Sequence, residues 1–167
     1  MKSKITPLNW QSELKDKLDV SISNDFMLFD NAHILPAFKY PFKVDVTTAM
    51  ICLRGSTQGF VNMKPNLIQA PCLNIVLADQ ILQYEEISDD FEGLFIVLSK
   101  QFTDNLFTNA HDRMSLLLSV KSRSCFPLNS EELELMKTYY GMFHKIVSQK
   151  ENPNRLEIVK HLTLAFF

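Results

Sequence analysis

The sequence predicts a mainly β protein with a helical tail, an α+β arrangement in which an antiparallel β-barrel is followed by C-terminal helices. Three observations predict it. Between Ala49 and Ser99 the chain runs as short apolar segments rich in Val, Ile and Phe, each closed by Gly, Pro, Asn or Asp. Such runs mark antiparallel strands in a sandwich or barrel. About eight to ten strand candidates precede residue 100, enough to close or nearly close a barrel that either fills with side chains or holds one small ligand. After Ser99 the apolar spacing changes to that of helices.

The elements follow in order. Leu8 to Leu18 reads as a short amphipathic helix, with Trp10, Leu14 and Leu18 on one face and Thr6 and Pro7 at its start. Trp10 is expected to pack on the barrel; the alternative is a mobile arm that docks with ligand. Phe26–Phe29 and Ala32–Phe38 read as strands around Asp30-Asn31, and Phe42, Val44 and Val46 alternate with Lys43, Asp45 and Thr47 as in a half-exposed strand. In the central stretch, turns are expected at Arg54-Gly55-Ser56-Thr57, at Lys64-Pro65-Asn66 and at Pro71. Gln101 to Asn109 turns helical, with Phe102 and Leu106 inward, and Leu116–Val120 reads either as a short helix or as a returning strand.

The tail is more regular. Asn129 with Glu132 three residues on forms a capping-box signature. Beyond it Leu133, Met136, Tyr140, Phe143 and Val147 recur at heptad a/d spacing, beside a second stripe of Leu135, Tyr139, Met142 and Ile146. A helix with two apolar stripes has two things to bury against: the barrel, and either the next helix or a second subunit. Asn152-Pro153 is expected to open another helix, with Leu156, Val159, Leu162 and Phe166 as its stripe. The final Ala165-Phe166-Phe167 leaves apolar residues at the end of a helical pattern, so the sequence is expected to be a fragment cut before a further domain. The expected divisions are residues 1–22 as an N-terminal arm, 23–127 as the barrel and 128–167 as the helical region.

Composition narrows the function. With 167 residues and a net charge of −2, the chain has the length of one domain and lacks the basic cluster of a free-standing nucleic-acid binder. No apolar run is long enough to cross a bilayer, and the start lacks the apolar core of a secretion signal. Cys52, Cys72 and Cys125 are odd in number and widely spaced, as expected of reduced thiols in a cytoplasmic protein. A metal-dependent barrel enzyme would need converging His and carboxylate ligands. Of His33, His111, His144 and His161 only His33 falls in a predicted strand, and neither H-x-H nor C-x-x-C is present. Gly55-Ser56-Thr57-Gln58-Gly59 is a turn without the G-K-[ST] of a phosphate loop, and the acidic run Glu85 to Glu92 lacks the ligand alternation of a calcium loop. No catalytic residue, metal or cofactor is expected.

The order Leu77-Ala78-Asp79-Gln80-Ile81-Leu82-Gln83-Tyr84, then Ser88-Asp89-Asp90-Phe91-Glu92-Gly93-Leu94-Phe95-Ile96-Val97-Leu98-Ser99, then Phe102, resembles the N-terminal sensor domain of AraC/XylS-type transcriptional regulators. The Gly59-Phe60-Val61 strand and the seam helix fit the same pattern, and the resemblance spans roughly residues 30–167. Where the family often has Gln-x-His, this sequence has Leu82 and Gln83. The resemblance implies a cupin-like barrel that senses a small-molecule effector, a homodimer, and DNA contact only through an absent helix-turn-helix domain. On it, the inward polar and aromatic side chains His33, Phe38, Arg54, Phe60, Asn74 and Tyr84 become effector-binding candidates, each with a structural reading too, since an interior can be filled by its own side chains. Leu133, Met136, Tyr140, Phe143 and Val147 become the candidate dimer seam, against the competing view that they pack on their own barrel. A degenerate cupin enzyme and an effector-free interaction barrel are the two alternatives.

Overall fold

The computed structural model describes residues 5–10, 12, 20–30, 40–106 and 108–167. The expected strand Ala32–Phe38 and most of the expected N-terminal helix lie outside the described residues. Leu8 closes a short strand, β1 (Thr6–Leu8), and Trp10 is buried in the core as expected. Two further strands follow, β2 (Ser21–Ile22) and β3 (Phe26–Phe29). Next come β4 (Phe42–Val44), β5 (Val46–Arg54), β6 (Ser56–Val61) and β7 (Lys64–Gln69). The chain returns through β8 (Cys72–Val76), β9 (Ile81–Ile87) and β10 (Glu92–Ser99).

These strands pair as one long hairpin folded over on itself. β6 pairs β7, β5 pairs β8, β4 pairs β9 and β3 pairs β10, all antiparallel. Cross-pairing of β10 with β5 and of β6 with β9 then gives two sheets, ordered β1-β4-β9-β6-β7 and β11-β8-β5-β10-β3-β2, where β11 is Cys125–Pro127. Two facing sheets reached by this order are the double-sheet jelly roll, the architecture of cupins. The expected barrel is therefore realised as a sandwich of two sheets.

Burial explains why the central strands read as unbroken apolar runs. The second sheet is covered on both faces, which removes the polar alternation of a half-exposed strand. Met27, Phe29, Val46, Met50, Phe95 and Val97 point between the sheets, meeting Phe42, Val44, Ile68 and Leu82 of the first sheet. Their neighbours Phe26, Leu28, Ala49, Ile51, Ile96 and Leu98 point outward, into a second core formed with the helices. Each fully buried aliphatic or aromatic side chain contributes roughly 1.5–3 kcal/mol, so the two cores dominate stability.

The helices are α1 (Lys100–Leu106), α2 (Ala110–Ser122), α3 (Ser130–Ser148) and α4 (Arg155–Phe166). The ambiguous stretch around Leu116 is thus helix, and the returning strand is β11 beyond it. α3 carries the expected capping box: Glu132 N donates to Asn129 Oδ1 at 2.9 Å and Asn129 N to Glu132 Oε2 at 2.8 Å. Phe143 docks α3 on the sheet, its ring 5.2 Å from Phe26. α4 folds back on α3, where Phe166 meets Tyr139 and Phe143 at 5.8 and 6.1 Å and Arg155 Nη1 donates to Val147 O at 3.0 Å. Phe166 is buried and Phe167 half-buried, so much of the apolar area at this end is covered within the chain.

Two local expectations need correction. The turn placed at Lys64-Pro65-Asn66 begins two residues earlier, at Asn62-Met63, whose φ values of 50° and 65° form the two-residue hairpin turn. Pro65 is accommodated because β7 is an edge strand, where a missing N–H costs no ladder bond. Helix α4 begins at Arg155 rather than at Pro153, because Asn152 Oδ1 accepts from Asn154 N at 2.9 Å and spends the Asn-Pro pair on a turn.

Candidate functional site

A cleft of about 660 Å³ opens where the β6–β7 hairpin faces the segment joining α2 to β11. The hairpin supplies Asn62, Lys64, Asn66 and Gln69; the end of α2, the two joining residues and the start of β11 supply Lys121, Ser122, Arg123, Ser124 and Cys125. Both walls are fixed by hydrogen bonds. Asn62 Oδ1 accepts from Ile81 N at 2.9 Å, pinning the turn to β9. Ser124 Oγ donates to Asn66 Oδ1 at 2.7 Å, and Ser124 O accepts from Ile75 N at 2.8 Å and from Asn74 Nδ2 at 3.1 Å. One residue thus ties the connecting segment to both sheets.

The cleft is cationic. Among the described residues Lys64, Lys121 and Arg123 line it, no carboxylate or histidine does, and none of the three cations enters a salt bridge. α2 ends here, where its last carbonyls carry partial negative charge. Arg123 N and Ser122 Oγ both donate to Ser119 O, at 3.1 and 2.8 Å, which satisfies part of that end. The cations outweigh what remains. An exposed charge pair contributes at most about 1 kcal/mol in water. Three cations therefore fall well short of the roughly 8 kcal/mol of a micromolar ligand. The remainder has to come from the amides and hydroxyls, which select a ligand with several hydrogen-bonding groups.

The structure does not gather the sequence candidates here. His33 and Phe38 lie outside the described residues. Arg54 ends β5 and pairs with Glu92 on the surface. Phe60 alternates outward from Val61 and lines a shallow depression of about 230 Å³ with Pro41, Met63 and Ile81. Asn74 is buried and its amide is used by Ser124. Tyr84 packs between the sheets, 6.2 Å from the Phe42 ring, and burial pushes its phenol up to about 12. The space between the sheets is occupied by apolar side chains. Trp10 Nε1 is the one buried side-chain polar atom there without a partner among the described residues.

The seam expected at a dimer interface is taken up inside the chain. Tyr140, Phe143 and Val147 are buried against the second sheet, with Leu133 and Met136 half-buried beside them. The neighbouring stripe keeps Leu135 and Met142 outside, 52% and 45% exposed. Among the described residues no group of three or more His, Cys, Asp or Glu side chains could hold a metal ion, and no helix is long and apolar enough to cross a membrane.

No family model and no curated protein matches the sequence. Among solved structures the chain is similar to the cupin domain of Schizosaccharomyces pombe Cnp3, at 11% identity and a TM-score of 0.39 over 51% of this chain and 64% of that one. The chain thus spans less than two thirds of that domain. It is also similar to a predicted oxalate decarboxylase from Thermotoga maritima, at 17% identity and a TM-score of 0.33 over 55% and 76% of the two chains. The EutQ protein of Clostridium difficile gives 9% identity and a TM-score of 0.34 over 54% and 74%. All these scores lie below 0.5, and the fold rests on the strand order above: this is a cupin-like β domain carrying a helical tail.

Proposed function

We propose that the chain is the effector-sensing domain of an AraC/XylS-type transcriptional regulator, a sensor and not a catalyst, and that its effector is a small polyhydroxylated anion held in the cationic cleft. On this reading DNA is contacted by a helix-turn-helix domain outside this sequence, and two subunits pair. The observation that carries the reading is the identity of the cleft's second wall. Residues 121–125 lead through β11 directly into α3, so a ligand bridging Lys64 and Arg123 grips the connection that positions the helical pair. An effector acts only by binding one arrangement of that connection better than another. Among the described residues the cleft lining offers no histidine or carboxylate to move a proton, which supports a binding role.

The test is a thermal-shift and calorimetric screen with sugar phosphates, sugar acids and the corresponding neutral sugars. A ligand of the folded state present at 100 times its Kd stabilises by about 2.7 kcal/mol, a readily measured rise in Tm. The expected result is a rise with at least one anion and none with its neutral counterpart, abolished by Arg123→Glu. A panel without effect on the wild type, or a rise indifferent to Arg123→Glu, overturns the reading.

A further inference from the structure

Three free thiols form a chain from the interior to the cleft. Cys52 on β5 and Cys72 on β8 are direct partners across the antiparallel pair, and both are fully buried. Cys125 sits across the other edge of β8, where Pro127 opposes Cys72 and Cys125 opposes Asn74. It is half-buried and lines the cleft. Cys52 and Cys72 belong to one buried cluster against which Cys125 packs, and Cys52 Sγ donates to Arg54 O at 3.6 Å. Cys72 therefore has one cysteine across each edge of its strand, Cys52 directly opposite and Cys125 on the diagonal.

We propose that Cys72 and Cys125 form a two-coordinate site for a soft monovalent metal ion of the Cu(I) type, entered through the cleft. The donor set points to this class. Thiolates select soft ions, whereas zinc requires four converging ligands. The register argues against a disulfide between this pair. Diagonal cross-strand neighbours stand about 7–8 Å apart at Cα, and beyond about 7 Å a disulfide demands backbone movement. A metal set between the sulfurs lengthens the bridge instead.

The step balances simply: one monovalent ion replaces two thiol protons, giving a bis-thiolate of net charge −1 and two protons released to solvent. Cys125 pulls the Cys72 thiol down, but Cys52 and burial outweigh it and leave the thiol at about 11. The metal has to displace that proton, as soft ions do. Arg123, two residues before Cys125 and lining the same cleft, supplies positive charge on the side of the complex's entry. Binding would clamp β11 to β8, fixing the strand that precedes the helical pair. The site stands independently of the effector reading.

Cu(I) presented anaerobically to the reduced chain as its bicinchoninate complex tests the site. The expected result is uptake of one Cu(I) per chain, with Cys72 and Cys125 protected from iodoacetamide in peptide mapping under mild denaturation and Cys52 alkylated. Cys125→Ser, at a half-exposed position that tolerates the change, should lose the uptake, and Cys52→Ser should keep it. Where Cys52→Ser fails to fold, the wild-type protection map decides between the pairs. No uptake, uptake that survives Cys125→Ser, or protection of Cys52 with Cys125 left free overturns the proposal.

Discussion

Asp79 shows how one residue joins distant elements and fixes a pH dependence. It holds φ at 72°, a left-handed conformation that Asp and Asn tolerate, in the turn between β8 and β9. Its carboxylate takes Lys100 of α1 and Lys43 of β4, each at 2.9 Å. Those hydrogen bonds, Lys100 first and then Lys43, hold the carboxyl below its ordinary value of 3.8. A folded-state value below the unfolded one stabilises the fold fully above 3.8, and that contribution is lost as pH falls through the lower folded value. The group is half-exposed, so screening limits the effect to under about 1 kcal/mol. Asp79→Asn preserves the backbone preference and removes the charge. The urea midpoint of the variant should lie below wild type at pH 7, and the gap should close in acid as pH falls through the lowered folded value and the carboxylate is protonated. A gap that persists in acid would assign the effect to backbone geometry.

At the scale of elements, α3 carries the sharpest contrast. Phe143 is 0% exposed and sits against Phe26 and Phe166, so Phe143→Ala should cost about 3–5 kcal/mol, read from the denaturation midpoint. Leu135→Glu with Met142→Glu changes only exposed positions and should leave Tm within a degree or so of wild type, a near-neutral change for a surface site. If two subunits pair through this face, sedimentation should show that double variant as a folded monomer; a retained dimer would place the interface elsewhere. What the sequence could say about α3 followed from range. The capping box at Asn129 was legible because its two partners are three residues apart. The seam from Leu133 to Val147 was legible as a stripe, but a period of about 3.5 residues is equally that of a helix on its own sheet or on a second subunit. The partner, Phe26, lies far away in sequence, and no periodicity in α3 reports it. Pro65 and Pro153 misled for a related reason: each was read as a boundary, while its position relative to a sheet edge or an Asx turn decided its role.

The whole molecule extends that distinction from pairs to sites. The central strands could be read because burial on both faces of the second sheet writes itself into runs such as Leu94 to Leu98, whereas β1 falls where a helix was expected. The order of the strands could not, since every pairing of the folded hairpin beyond the β6–β7 turn joins segments separated by all the strands between them. The cleft is the product of such pairings. Ser124 meets Asn66 across 58 residues and Asn74 across 50, so its walls are neighbours only in space. Only the cations Lys121 and Arg123, clustered at the end of a helix without an acid close by in sequence, offered a signal. The same architecture supplies a clean electrostatic test. Asn66→Asp is nearly isosteric and can still accept from Ser124 Oγ, so the joint between the walls survives. It places one negative charge among three positive ones. A charge about 5 Å from a bound anion in a largely aqueous site costs about 1 kcal/mol, near fivefold in affinity. The Kd of an anionic ligand should rise by that factor in low salt, and the difference should shrink at about 1 M salt, where the Debye length falls to roughly 3 Å. Binding of a neutral sugar should not respond. Equal anion affinity in Asn66→Asp and wild type at low salt, with Tm unchanged, would mean that the anion does not occupy this cleft.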